Sequence, residues 1–318
     1  MTGFEFSKIL EKLEKGDRLT FSRVTSMIEN EDPRGIAILN EFYPKTGKAF
    51  IIGITGPPGS GKSTLVDRMV GEFRKDNSKV GIIAVDPTSP FTGGALLGDR
   101  IRMQRHATDK NVFIRSMANR NSLGGIASTT SQVVELFDAF GMDIVLVETL
   151  GVGQSEIEIA RTADSTIVVL PPGLGDGIQA IKAGILEIAD LFALNKADRE
   201  GIDALESEMK LMLEFNTSEW IPPLCRTVAI SGQGVPELIA DLKKHKSYLE
   251  SNGLLEKRRS DRHEFALREL LKSYLIKDLD RLVKENAEFK NIFSKVRVRG
   301  ISPYEAAEQL YQLILKHG

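Results

Sequence analysis

The sequence holds a single cysteine, Cys225, a single tryptophan, Trp220, and four histidines, at positions 106, 245, 263 and 317. One thiol cannot form an internal disulfide, and scattered histidines with one cysteine supply no ligand cluster for zinc or nickel. No apolar run reaches the ~18 residues of a membrane span, and the opening MTGFEFSKILEKLEK has no secretory hydrophobic segment. Excess charge is missing too: 42 Lys and Arg stand against 44 Asp and Glu, a net of −2, which argues against a general nucleic-acid or membrane-surface binder. These absences predict a soluble protein of the reducing cytoplasm. The remainder, 318 residues with 42% hydrophobic and 27% charged, is ordinary globular composition, long enough for two domains or for one domain with arms.

Three zones separate by pattern. Residues 1 to 47 read as short amphipathic helices, with apolar positions at Ile9, Leu10 and Leu13, at Val24, Met27 and Ile28, and at Ile36, Leu39 and Phe42. From 48 to 245, apolar runs alternate with helical stretches: FIIGIT at 50 to 55, VGIIAVD at 80 to 86, DIVLVE at 143 to 148, STIVVL at 165 to 170, LFALN at 191 to 195 and TVAIS at 227 to 231. Runs this apolar belong in a sheet covered on both faces, and their order predicts an α/β fold with a doubly wound, mostly parallel sheet whose ligands bind beyond the strands' carboxyl ends. Residues 246 to 318 read as charge-rich helix. Ala266, Leu267, Leu270, Leu271, Tyr274, Leu275, Leu279, Leu282 and Val283 form a stripe, which either folds back on the main domain or makes a dimer or partner seam. The basic cluster Lys257, Arg258, Arg259 and Arg262 reads as a solvated helix face.

The strongest chemical signal is Gly56-Pro57-Pro58-Gly59-Ser60-Gly61-Lys62-Ser63-Thr64, a G-x-x-x-x-G-K-[ST] between the strand FIIGIT and the helical TLVDRMVGEFRK. Glycine-rich backbone amides and a helix N-terminus stabilise phosphate charge with few basic side chains. Lys62 is expected to reach the β- and γ-phosphates, and Ser63 to present its hydroxyl to Mg²⁺, which accepts only one or two protein oxygens. A second phosphate-side element is DIVLVETLGVG, where Glu148 ends a buried strand and is expected at the magnesium shell. Gly151 can bring a backbone amide to the γ-phosphate, and Gln154 follows it as a candidate switch residue.

Asn195-Lys196-Ala197-Asp198 is an N-K-x-D at the carboxyl end of the strand LFAL. A carboxylate at Asp198 accepts from guanine N1–H and its 2-amino group, whereas adenine offers an acceptor at N1 and no 2-amino group. Lys196 can lay its stem over the base, and Asn195 can tie the loop to its neighbours. Ser231 and Gly232, after TVAI, are the expected final loop over the base edge.

Longer segments go beyond a generic nucleotide binder. VDPTSPFTGGALLGDRIRM at 85 to 103, IRSMANRNSLGGIA at 114 to 127, ETLGVGQSE at 148 to 156 and PPGLGDGIQAIKAGILEIADLFALNKAD at 171 to 198 resemble the methylmalonyl-CoA mutase-associated GTPases, G-protein chaperones of adenosylcobalamin-dependent acyl-CoA mutases. The resemblance covers nearly the whole chain and implies a P-loop GTPase domain at 48–245, an N-terminal helical arm at 1–47 and a C-terminal helical dimerisation arm at 246–318. It also implies that Asp86 and Asp99 join Ser63 and Glu148 near Mg²⁺, although either aspartate could instead cap a helix. Asp176 and Lys182 match a third switch that relays nucleotide state to the mutase. Two residues depart from the family pattern: Gly177 follows Asp176 where a second acid is usual, and Asn121 replaces a glycine, a substitution that tolerates positive φ.

The implied activity is Mg²⁺-dependent GTP hydrolysis to GDP and phosphate, slow alone and stimulated by the mutase. Lys62 would stabilise charge, while Gln154, Asp176 and Lys182 are catalytic candidates. Its output would be gated cofactor loading or reactivation of the mutase. The GTPase, a homodimer, would itself bind no cobalamin, nucleic acid or membrane. Three rivals stand beside this reading. One is an ATP-dependent kinase of basic-amino-acid transport proteins, an older label of the family. A nickel-type metallochaperone would want clustered Cys and His, and a signal-recognition-like GTPase would want a basic, methionine-rich tail.

Overall fold

The apolar runs become the strands of one sheet, because a backbone flanked by Ile and Val on both sides satisfies its N–H and C=O groups only by pairing with like neighbours. The computed structural model describes residues 3–87, 104–106, 108–119, 125–149, 155–173, 185–214 and 218–317. The strands are β1 Phe50–Thr55, β2 Val80–Pro87, β3 Val112–Asn119, β4 Ile144–Thr149, β5 Ser165–Leu170, β6 Leu191–Asn195 and β7 Leu224–Thr227. They form a seven-stranded sheet in the order β3-β2-β4-β1-β5-β6-β7, every neighbouring pair parallel. The chain winds outward to β2 and β3, returns to β4, then crosses to β5 on the far side of β1. The carboxyl end of β1 therefore lies at the topological switch point, where such sheets bind ligands.

The helices are α1 Gly3–Glu14, α2 Arg18–Glu29, α3 Pro33–Phe42, α4 Lys62–Lys75, α5 Gly125–Ala139, α6 Ser155–Thr162, α7 Ile185–Ile188, α8 Ile202–Leu213, α9 Val235–Ser251, α10 Leu254–Glu285, α11 Ala287–Arg297 and α12 Pro303–His317. Alternation along β1 sorts the core into two layers. Phe50, Ile52 and Ile54 face α4 and α9, packing with Leu65, Met69, Val70, Leu238 and Leu242. Ile51 faces the opposite layer with Phe21, Val24, Ile28, Ile38 and Phe137. The N-terminal helices thus belong to the core: Phe21 is fully buried and stacks on Phe140 at 4.0 Å. Asp17 and Asp32 cap α2 and α3 by accepting from Thr20 and Arg34 amides, and Pro33 opens α3, where its missing N–H costs nothing.

Three sequence expectations change. β3 is absent from the six expected strands because Arg115 interrupts its apolar pattern; that side chain is occupied by Glu29 and Ser26 of α2. TVAIS is not a strand: only Thr227 belongs to β7, Val228 makes an isolated bridge to Gln233, and residues 228–232 close a turn in which the Val228 carbonyl accepts from the amides of Ser231 and Gly232. The basic cluster is a solvated face only at Lys257, which is exposed; its three arginines are engaged. Arg258 forks onto Asp190 at 2.8 and 2.9 Å, and Arg259 and Arg262 converge on the fully buried Asp164. Asp164 also accepts from the Ile51 amide, and Asp190 from that of Thr166. The start of α10 is thereby bolted to the amino ends of β1, β5 and β6.

The chain divides into two compact units, Met1–Glu264 and Phe265–Gly318. The second contains the rest of α10 with α11 and α12, buries Phe289, Ile292 and Ala306, and caps α11 through Asn286. Leu267, Leu271, Tyr274 and Leu275 on α10 are exposed. No helix among the described residues is long and apolar enough to cross a membrane.

Breaking the bolt should be costly, since removing one partner leaves buried charge uncompensated. Asp164→Ala is expected to lose about 3–5 kcal/mol of unfolding free energy in urea titration. His245, fully buried beside Trp220 and bonded to Ser165 at 2.6 Å, is pushed down to about 4 by burial, with Asp190 opposing and Arg258 adding. An unfolded histidine near 6.5 binds the proton first, so this contribution is complete above pH 6.5 and is lost as pH falls towards 4. It amounts to about 3 kcal/mol. Glu135, pushed up to about 7 mainly by burial, drives the opposite trend. The stability difference between wild type and His245→Gln isolates the histidine, and should shrink by about that amount between pH 6.5 and 4.

Candidate nucleotide site

Three loops meet at the carboxyl edge of β1, β6 and β7. The first, residues 56–61, turns from β1 into α4 through three left-handed glycines, Gly56 (φ 138°), Gly59 (φ 76°) and Gly61 (φ 96°). Two of them are required by close approach as well: a Cβ on Gly56 would stand 2.2 Å from the Val169 carbonyl oxygen, and one on Gly61 would stand 2.3 Å from Asn195 Nδ2. Gly61 caps α4 without a side-chain hydrogen bond, so the first-turn amides of the helix carry its positive end into the loop. Lys62 is buried, and its Nζ donates to the carbonyls of Gly56 and Pro57 at 2.8 and 3.0 Å, which holds the ammonium at the mouth of that turn. Ser60 is fully buried in the loop, while Pro58 and Gly59 are exposed at its tip and Thr64 is half-buried on α4.

Next to Lys62, the Ser63 hydroxyl donates to Glu148 Oε1 at 2.7 Å, both residues buried. A hydroxyl and a carboxylate brought together beside a helix N-terminus are hard oxygen donors of the kind Mg²⁺ takes, so these residues fit that ion. The sheet register places Asp86 here too: Ala84 pairs with Glu148, and Asp86 lies two residues further along β2 at the same edge. Asp99, Gly151, Gln154, Asp176 and Lys182 lie outside the described residues, as does Asn121.

The second loop begins at Asn195, which is buried and laces all three together. Its Nδ2 donates to the Ser60 carbonyl at 2.7 Å, and its Oδ1 accepts from Thr227 Oγ1 at 3.2 Å and from the Ala229 amide at 3.0 Å. Lys196 adopts a left-handed φ of 59°, and its Nζ donates to the Gly59 carbonyl at 2.7 Å, spanning the tip of the first loop. Asp198 stands exposed one residue beyond Ala197, whose amide donates to the Thr227 carbonyl. In the third loop, Ser231 and Gly232 commit both amides to the Val228 carbonyl. Sequence reasoning overlooked Arg68 of α4, whose guanidinium donates to the carbonyls of Ala229 and Ile230. A half-buried arginine on an amphipathic helix leaves no trace in sequence periodicity. It also missed Arg105 and His106, which meet buried Asp67 of α4.

The profile of the family described as "Methylmalonyl Co-A mutase-associated GTPase MeaB" matches residues 21–284. This chain belongs to the MeaB family. A candidate GTPase of Pyrococcus abyssi is 46% identical to the MeaB-family chain over 316 residues, covering 98% of this chain and 97% of that one. GTPase ArgK of Escherichia coli is 32% identical over 316 residues, covering 96% and 95%. The crystal structure of LAO/AO transport system kinase superposes with a TM-score of 0.75 at 26% identity and covers 99% of each chain, the same P-loop GTPase fold. The family and fold carry guanine-nucleotide binding with Mg²⁺ to this chain.

Crowding at Gly61 makes a graded prediction. Gly61→Ala meets both a strained φ and Asn195, whereas Gly59→Ala meets only the strained φ, since nothing lies within 4 Å of a Cβ there. Guanine-nucleotide affinity, measured by calorimetry, should fall by about a hundredfold or more in Gly61→Ala and by about tenfold or less in Gly59→Ala.

Proposed function

We propose that this chain is a Mg²⁺-dependent GTPase chaperone that gates cofactor loading, and protects or reactivates, an adenosylcobalamin-dependent acyl-CoA mutase. The observation that carries the guanine reading is Asn195. By bonding Ser60 and Ala229 at once, it sets the N-K-x-D loop at a fixed distance from the phosphate turn, with Asp198 free in solvent to meet a base. The mutase reading is supported by the family description and by a mouse relative, "Methylmalonic aciduria type A homolog, mitochondrial", 33% identical over 268 residues, 82% of this chain and 64% of that one.

On this reading the first-turn amides of α4 bind the phosphates. Lys62, held by two carbonyl bonds of the neutral backbone, turns its ammonium to the β- and γ-phosphates, because charge-assisted bonds to anionic oxygens are stronger. Ser63 and Glu148, with Asp86 and Asp99, would hold Mg²⁺, which when bound supplies neutralising charge at the β- and γ-phosphate oxygens. Gly151 would offer its amide to the γ-phosphate, Gln154, Asp176 and Lys182 would be the catalytic candidates, and turnover would be slow until the mutase binds. Asp198 would discriminate guanine from adenine through the 2-amino group and N1–H. The exposed stripe Leu267, Leu271, Tyr274 and Leu275 supports a homodimer seam on α10, and no cobalamin would bind to this chain.

Asp198→Asn should weaken GTP binding by about a hundredfold and shift preference towards the xanthine nucleotide, which carries oxygen in place of the 2-amino group. Equal wild-type affinity for ATP and GTP, or phosphate appearing on a basic-amino-acid-binding protein, would favour the kinase reading instead. GTP turnover measured with and without an acyl-CoA mutase captured from source extract tests the chaperone role. Rapid turnover unaffected by the mutase would refute it.

A further inference from the structure

The turn after β7 spends almost every backbone donor on itself or on Asn195. The Val228 amide donates to the Gln233 carbonyl at 2.9 Å, that of Ala229 to Asn195 Oδ1 at 3.0 Å, and those of Ser231 and Gly232 to the Val228 carbonyl at 3.1 and 2.9 Å. The Gln233 amide faces Ser231 Oγ at 3.4 Å. In residues 228–233 this leaves the Ile230 amide as the donor with no hydrogen-bond partner among the described residues. Ile230 is 74% exposed, so the turn's tip is open to a ligand.

The direction of that amide is set from the other side of the turn. Arg68 Nε donates to the Ala229 carbonyl at 3.1 Å, and Nη2 to that of Ile230. The Ala229 carbonyl and the Ile230 N–H belong to one planar trans peptide and point in opposite directions. By holding the carbonyl towards α4, the guanidinium turns the N–H away from α4. Arg68 lies six residues after Lys62 on the same helix, about 9 Å along its axis, so one rigid element registers the phosphate turn and this peptide together.

A donor at this place separates the two purines. Guanine carries an acceptor, O6, beside the N1–H that Asp198 would read, whereas adenine carries a 6-amino donor that would meet the N–H head-on. We propose that Arg68 is a positioning residue for guanine selectivity: it orients the Ala229–Ile230 peptide so that its N–H is presented to the 6-oxo group. The inference rests on the guanine reading above and adds a second, independent check on the base.

The experiment measures dissociation constants of GDP, 6-thio-GDP, IDP and ADP for the full-length protein, for Arg68→Met and for Arg68→Lys, with thermal melting as a folding control. Sulfur at position 6 is a poor acceptor, so the ratio of 6-thio-GDP to GDP reports the 6-oxo contact. Hypoxanthine lacks only the 2-amino group, so the IDP to GDP ratio reports Asp198. Methionine keeps an apolar stem of similar length beside the turn, and lysine can still reach one carbonyl. Arg68→Met should bind GDP about tenfold more weakly and lose most of its preference for GDP over 6-thio-GDP, while its IDP to GDP ratio stays as in wild type. Arg68→Lys should recover part of the lost preference. The inference is overturned if the wild type does not distinguish GDP from 6-thio-GDP, if Arg68→Met keeps the wild-type preference, or if both ratios collapse together, as for a general structural role. A wild type that fails to distinguish GDP from ADP sinks the guanine reading itself.

Discussion

The buried side-chain amide of Asn195 is the contact on which the site depends. One planar group donates to the phosphate turn through Ser60 and accepts from Thr227 and Ala229 in the third loop. Because the amide is rigid and enclosed, each of these distances constrains the others. It also explains why Gly61 has no side chain: the space a Cβ would take is already occupied by Asn195 Nδ2. The turn after β1 and the loops after β6 and β7 are therefore coupled through a single residue before any ligand arrives, and such preorganisation reduces the ordering cost of binding.

The opposite edge of the sheet is organised by a different principle. There, Asp164 and Asp190 precede β5 and β6, and each accepts from a backbone amide and from arginines at the start of α10. These carboxylates could not be buried alone; the guanidinium forks compensate them at the charge and at the lone pairs. The parallel sheet thus has a functional edge laced by neutral amides and glycine turns, and a structural edge held by ion pairs. His245, enclosed on the structural side, links the stability of that edge to pH.

The side chains at the functional edge differ in what holds them. Lys62 and Ser63 rest on partners belonging to the protein itself, the Gly56 and Pro57 carbonyls and Glu148, and the two neutral carbonyls that hold Lys62 are weaker partners for an ammonium than an anionic oxygen. Asn195 and Arg68, by contrast, bind backbone groups that a nucleotide does not replace. The first pair is suited to respond to ligand and the second to hold the frame.

How much of this was legible without coordinates follows from the range of the forces involved. The phosphate turn, the N-K-x-D and five of the strands were readable, because each depends on residues adjacent in sequence: glycines where φ must be positive, a helix start, apolar runs that must pair. Long specific segments were enough to identify the family as well. The β3 strand was hidden because Arg115 answers to Glu29, 86 residues away, and the TVAIS turn was hidden because hydrogen bonding around Val228 outweighs β-propensity. The arginines of α10 looked like solvated charge, since their partners on Asp164 and Asp190 are separated from them by 68 residues or more. What the sequence determined alone was the chemistry available, through local backbone demands and residue type. What only the tertiary structure decided was which polar groups meet, because hydrogen bonds and ion pairs act over a few ångströms in space, whatever the separation along the chain.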